Sequence, residues 1–337
     1  MSATLRIHRA GPSVTLQDEG RRGYLDVGLS RGGAADTLAL AEGAALLGQS
    51  PALPVIEMAG MGGEFEASED IRIALTGAPM RTTLDGSSLA WHAAHLLPAG
   101  SRLSIGPVEK GCYGYLHVGG GLATQPCLGA QSAHLAAGIG RALQAGDTLK
   151  VGKDGGRETN LLLEPENRFE GGTIRIVASF QTHLFSPAEL DRLQSVPLRR
   201  GRRANRMGVA LEPEGGGFHI EGGRNVVSEI IVPGDIQITG DGTPFVLMAE
   251  CQTTGGYPRI GTILPCDLTR MAQAPAEAEL RLCWVDLANA IALEREEAHR
   301  RADLHRQCGP LIRDPRRMHD LLSYQLISGV VAGDEED

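Results

Sequence analysis

The chain has 337 residues, 42% hydrophobic and 22% charged, enough for two domains of ordinary size and balanced as a globular protein, not a disordered one. A net charge of −9 argues against a broad basic nucleic-acid surface. No apolar run approaches the roughly 20 residues that a membrane helix needs.

The opening residues, Met1 to Arg6, lack the charged-then-apolar layout of a signal peptide. Six cysteines are scattered without a Cys-x-x-Cys pair and read as buried thiols in a reducing cytosol, so the expected location is cytoplasmic. With 45 glycines and 18 prolines, the chain should be built of many short elements joined by turns, hence mainly β. Aromatic residues are 4%, so Val, Ile, Leu and Ala must supply most of the core.

In chain order, the alternation of Leu5 and Ile7 with polar neighbours predicts a first strand over Thr4–His8. A glycine-rich stretch from Gly11 to Gly33 follows. Asp36 is then a candidate N-cap for a helix that runs to Leu47 and stops at Gly48. Short strands are predicted at Val55–Met58, Glu64–Glu66, Ile71–Leu75, Thr82–Leu84, Ser101–Ile105, Tyr113–Val118 and Thr148–Val151. The polar, glycine-bearing run 152–172 reads as a flexible boundary.

A fresh strand opens at Thr173. Ser186-Pro187-Ala188-Glu189 then has the capping-box pattern of a helix start. A faint repeat, Asp70 to Gly77 against Asp235 to Gly240, hints at two related halves. The expected division is 1–165, 166–285 and a helical tail over 286–337, with one helix from Leu287 and a second from Asp314-Pro315. The last five residues should be disordered.

Common catalytic signatures are absent: there is no phosphate loop, zinc helix or nucleophile elbow. His92 and His95 read as two chance histidines, and Gly119 to Gly121 as a turn. The basic cluster Arg199 to Arg203 reads as a solvated loop or as an anion-facing one.

Three polar clusters remain. Gln17, Asp18 and Arg21 lie among glycines, where an amide, a carboxylate and a guanidinium can approach a ligand. On spacing alone, a surface turn held by an Asp–Arg pair is the stronger account. Asn205-Arg206 offers an amide and a fork for carboxylate or phosphate, or is merely a basic loop on an acidic protein. Gln252-Thr253-Thr254-Gly255-Gly256-Tyr257 follows an apolar strand over Pro244–Ala249. So dense a hydrogen-bonding edge reads as a site before it reads as a turn.

Taken together, Gln17-Asp18-x-Gly20-Arg21-x-Gly23, Gly33-Ala34-x-Asp36, Asn205-Arg206-Met207-Gly208 and Gln252 to Pro258 resemble the family of the 5-oxoprolinase C component. That family also covers KipA, the second component of allophanate hydrolase and half of the carboxyltransferase domain of urea carboxylase. Glu57 before Gly60, Thr76-Gly77-Ala78, Asp235-Ile236-Gln237, Asp267 and Gln273 add to the ordered set, which spans Ile7 to Leu282. Departures are Ala44 and Gln49 where asparagines are common, Gln131 in place of an arginine, Ser179-Phe180-Gln181 for Gly-Pro-Gln, and Glu250 for an aspartate.

The resemblance implies two cyclophilin-like β-barrels and a cleft completed by a KipI-like partner, the B component, with the hydrolase-like A component as a further member. It implies ATP-dependent opening of a small cyclic amide, with ATP and magnesium bound in the complex. Asp18, Arg21 and Arg206 are then the candidate catalytic residues. Gln17, Asn205, Gln252, Thr253, Thr254, Gly255, Gly256 and Tyr257 are the candidate substrate-binding residues. Two rivals stand beside this reading. One is a carboxyltransferase component that receives biotin on another chain and transfers a carboxyl group to urea or a related amide. The other is a KipA-like regulatory protein without turnover.

Overall fold

A computed structural model describes residues 3–220 and 226–312. The strand-rich expectation holds. The first half has two sheets facing one core. One runs in the order Thr148–Lys150, Thr4–Ala10, Gly63–Ala67, Arg102–Val108, Met80–Leu84, Ser87–Ser88. The other runs Val14–Gln17, Val55–Ala59, Tyr113–Val118, Ile71–Gly77, Ala93–Leu97, Leu161–Leu162, Gly309–Pro310. Alternation aims Leu5, Ile7, Phe65 and Leu103 from the first sheet at Ile56, Met58, Ile73 and Leu116 from the second. The second half is a closed seven-stranded barrel built from Gly172–Val177 to Glu279–Trp284. It closes through a parallel pairing of those two strands, which places Ile174 opposite Leu282. Ile71–Gly77 and Asp235–Ile238, the two echoed strands, are each paired on both sides.

The helix starts follow local chemistry. Asp36 caps α1 (Thr37–Leu47), its Oδ1 accepting from the backbone N–H of Leu38 and of Ala39 at 3.1 and 3.2 Å. Gly48 ends α1 at φ 61°. Ser186 caps α2 (Pro187–Ser195) through the N–H of Glu189. α3 (Leu268–Gln273) and α4 (Leu287–Ala302) complete the α-helices among the described residues. The second predicted tail helix and the terminal acidic residues lie outside the described residues.

The run 152–172, expected to be flexible, contains two anchors instead. Arg72 donates to both oxygens of Asp154 at 2.7 Å. Arg168 is fully buried, forking onto Glu42 at 2.7 Å and reaching Asp36 at 2.8 Å. Burial alone would lower the Arg168 pKa, but the two carboxylates hold it above the ordinary arginine value. Gln273 from α3 also donates to Asp36 at 2.8 Å, tying the barrel to α1. Beyond α4 the chain returns to the first half, where Gly309–Pro310 pairs with Leu161–Leu162. The tail therefore straps one half to the other.

The cysteines are all unpaired, but only Cys251 is buried; Cys127 is exposed and the other four are half-buried, so the expectation of buried thiols holds for one of the six. No described helix is long and apolar enough to cross a membrane.

Candidate functional site

The loop after Val14–Gln17 is folded by its own polar groups. Asp18 Oδ1 accepts from Gly20 N–H at 2.7 Å and Oδ2 from Gln131 N–H at 2.6 Å. Both carboxylate oxygens are thereby engaged, one holding the turn and one drawing in the 131–137 loop. The two arms of the Gly11–Gly33 stretch are joined by Arg21 N–H to Arg31 C=O at 2.8 Å and Ala34 N–H to Asp18 C=O at 2.9 Å. Gly33 lies in the left-handed region at φ 82°, and a Cβ there would come within 2.7 Å of Gly20 N. The glycines are needed because the two backbones touch.

Arg21 is 2% exposed, with Nη2 donating to Ser132 C=O at 2.5 Å. Its Nη1, together with Gln17 Oε1 and Ser132 Oγ, is buried without a partner among the described residues. The Gln17 amide nitrogen is bonded to Thr15 Oγ1 at 3.0 Å and lies 3.3 Å from Ala133 C=O. These groups converge on the loop that carries Gln131.

Arg206 is the junction of the two halves. Asn205 Oδ1 accepts from Met207 N–H at 2.8 Å and Gly208 N–H at 3.2 Å, which turns the chain and directs Arg206 inward. Each guanidinium nitrogen then has a protein partner. Nε donates to Glu250 Oε1 at 2.5 Å, Nη1 to Glu57 and Nη2 to Gly33 C=O. Glu57 and Glu250 are 1% and 3% exposed. Burial works to lower the Arg206 pKa, but the two carboxylates outweigh it and raise the value. All three guanidinium nitrogens of Arg206 are thus engaged by acceptors that the chain itself supplies, two of them carboxylates. Glu57 is fixed in turn by Tyr115 O–H at 2.7 Å and Ala35 N–H at 2.8 Å.

Glu250 also faces His134, with Oε2 lying 3.8 Å from Nδ1, and His134 Nε2 is 2.9 Å from Ser30 Oγ. This order has the outline of a nucleophile, base and carboxylate, but the hydrogen bonds run the wrong way. Ala137 N–H points to Nδ1 at 3.3 Å, so Nδ1 is the acceptor. Assigned on that basis, Nε2 carries the proton and donates to Ser30, leaving no base for the hydroxyl. Burial lowers the His134 pKa despite the pull of Glu250, which keeps the ring neutral. The group holds loops together.

The third cluster sits directly above this hub. Glu250 N–H bonds Arg206 C=O at 2.8 Å, Met248 N–H bonds Met207 C=O at 3.0 Å, and Gly32 N–H bonds Ala249 C=O at 3.0 Å. Thr253 is buried, and a Cβ on Gly28 would lie 4.0 Å from its hydroxyl. Thr254–Gly255 pairs with Glu229–Ile230. By contrast Asn205, Gln252, Thr254, Gly256 and Tyr257 are exposed.

The structure thus joins all three sequence clusters through backbone and side-chain bonds. It divides them into a charged base (buried Asp18 and Arg21, half-buried Arg206) and a largely exposed amide and hydroxyl edge in which Thr253 is buried. Sequence reasoning left Ser30 and His134 unmarked and gave Glu57 only a supporting place. Glu42 had a signal: it is the one carboxylate inside the apolar run of α1. His92 and His95 do not form a ligand set: His95 Nε2 bonds Ala90 C=O at 2.8 Å, while neither ring nitrogen of His92 has a partner among the described residues.

A closed barrel joined to a two-sheet half through a buried ionic hub defines a two-part β protein with its polar edge at the junction. The family model for the carboxyltransferase domain, subdomain A and B, matches residues 27–284, and the chain belongs to that family. It is 33% identical over 298 residues to the C component of 5-oxoprolinase from Escherichia coli (strain K12), covering 87% of this chain and 95% of that protein. It is 26% identical over 298 residues to urea amidolyase of Saccharomyces cerevisiae, covering 80% of this chain but only 16% of that much longer protein. The crystal structure of the K. lactis urea amidolyase shares the fold at a TM-score of 0.78 and 20% identity, over 93% of this chain and 21% of that one.

Proposed function

We propose that this chain is the C component of an ATP-dependent 5-oxoprolinase complex, acting on a cyclic amide together with a KipI-like B component. One observation carries the reading: near-complete coverage of the E. coli protein, at 87% and 95% of the two chains, which leaves only a small part of that protein's length unmatched. The exposed edge suits the task. Gln252 can give and take a hydrogen bond, Asn205 can donate from its amide nitrogen while its Oδ1 is held by the turn, and Thr254 and Tyr257 add hydroxyls, together the complement of an amide N–H and C=O. Asp18, Arg21 and Arg206 serve beneath it as positioning residues, holding the loops that carry the edge.

The described residues gather no set of three or more His, Cys, Asp or Glu to hold a magnesium ion, and the arginine of the hub is engaged by the protein. The hub offers a nucleotide phosphate no open guanidinium nitrogen, and no phosphoryl step is assigned to this chain.

The test is co-expression with the A and B components, then measurement of ATP hydrolysis dependent on 5-oxoproline. Turnover that falls at least about tenfold in Thr254→Val or Gln252→Ala, with the complex intact, supports the edge as the substrate contact. Turnover only with a biotinylated partner and urea establishes the carboxyltransferase reading, which the family model and the yeast urea amidolyase match favour. A tight complex that turns over neither substrate establishes a KipA-like regulator.

A further inference from the structure

A second concavity, about 470 Å³, is lined by none of the residues of the polar edge. Three segments distant in sequence wall it: the loop bearing Arg22 and Arg31, α1, and α4 with the adjoining Pro265-Cys266 turn. The charges on its wall are unequally satisfied. Glu297 accepts from Arg300 at 2.7 and 2.8 Å and from Arg301 at 2.6 Å, and Arg301 also reaches Thr37 Oγ1 at 3.0 Å. Glu294 accepts from Cys266 N–H at 2.8 Å. Arg22, 74% exposed, comes only within 3.7 Å of Glu19, and Arg31 is likewise incompletely paired. Its Nε donates to Glu19 C=O at 2.6 Å, and its two terminal nitrogens have no acceptor among the described residues.

The Arg31 side chain runs close over Gly20, its Cγ 2.9 Å from where a Cβ there would sit, and the Nε bond to Glu19 C=O tethers its guanidinium. Burial, then the neighbouring Arg22, lower its pKa more than the carboxylates of Glu19 and Asp18 raise it. A guanidinium fork that is tethered, half-buried and open at its outer edge matches two oxygens of a planar or tetrahedral oxyanion.

We propose that this cavity is a small-oxyanion site in which Arg31 binds the carboxylate or phosphate group of a small molecule. An occupant would touch both halves and the strap at once. It would also communicate with the candidate site, because Arg21 N–H bonds Arg31 C=O directly. The site does not depend on the 5-oxoprolinase reading, and its test needs no turnover.

Calorimetric titration of the full chain with inorganic phosphate, and separately with acetate, at constant ionic strength should show saturable binding of one ion per chain. The arm that binds tighter identifies the group. Arg31→Gln should weaken binding at least about tenfold, as expected for loss of a charge-assisted fork. Arg31→Lys should fall between, and Arg203→Gln, on the strand Leu198–Ala204, should leave binding unchanged. Glu294→Gln on the facing wall should tighten binding, a gain that a folding defect would not produce. Absence of saturable binding by either ion overturns the proposal, as does unchanged affinity in both Arg31→Gln and Glu294→Gln.

Discussion

Arg206→Ala should destabilise the protein far more than a change at an exposed arginine. The substitution leaves Glu57 and Glu250, which are 1% and 3% exposed, facing each other without their common counter-charge. Breaking one buried ion pair by removing a partner costs about 3–5 kcal/mol. Two pairs share this arginine, but their losses do not simply add, because each carboxylate keeps other donors. Glu57 retains Tyr115 O–H and Ala35 N–H, and Glu250 retains Ala136 N–H at 3.1 Å. The whole deficit is therefore set at about 3–5 kcal/mol. In a chain of this size that corresponds to a fall in Tm of about 4–7 °C.

Thermal unfolding followed by far-UV circular dichroism at pH 7 measures it. Arg206→Lys should lie between, because one ammonium cannot reach three acceptors set around a planar fork. Arg206→Ala melting within about 1 °C of wild type would refute the hub as a structural junction.

Two further outcomes follow from buried groups. His92 is 6% exposed with both ring nitrogens unpartnered among the described residues, and burial, then the charge of Arg168, push its pKa down to about 3. Its folded pKa lies below the unfolded value near 6.5, so the unfolded chain binds the extra proton and stability falls as pH drops through this window. His92→Leu should flatten the stability–pH profile between about pH 6.5 and 4 by up to about 1.4 kcal/mol per pH unit. Urea unfolding at a series of pH values checks this, and an unchanged slope contradicts it. Gly43→Ala should destabilise by about 1–3 kcal/mol despite the better helix propensity of alanine. A Cβ there would lie 2.3 Å from the ring of His117, which is buried and bonded to Thr76 Oγ1 at 2.8 Å. Equal or higher Tm in Gly43→Ala would show that the ring can move aside.

The local elements were legible wherever one residue's chemistry decides the backbone. Asp36, Gly48 and Ser186 marked helix ends because caps act within a few residues. The alternation at Leu5 and Ile7 marked a strand because pleating sets the side-chain period. The polar clusters were found as clusters, but the role of each member was not. Asp18 and Arg206 could read as groups awaiting a ligand because, apart from the local Gly20 N–H on Asp18, the side-chain partners that engage them are far away in sequence. Their partners, Gln131, Glu57 and Glu250, lie 113, 149 and 44 positions away. The same distance hid Arg168, which looks like one arginine in a polar connector until Glu42 and Asp36 are brought around it.

The sequence alone determined the β-rich class, the helix caps and the family, since these rest on periodicity, local hydrogen bonding and an ordered set of motifs. Tertiary structure alone decided which charges are spent on the protein and which remain open. A buried ion pair is fixed by where distant segments meet, and no local pattern records that meeting. The contrast between Arg206, closed by two carboxylates, and Arg31, open at its fork, exists only in the folded chain.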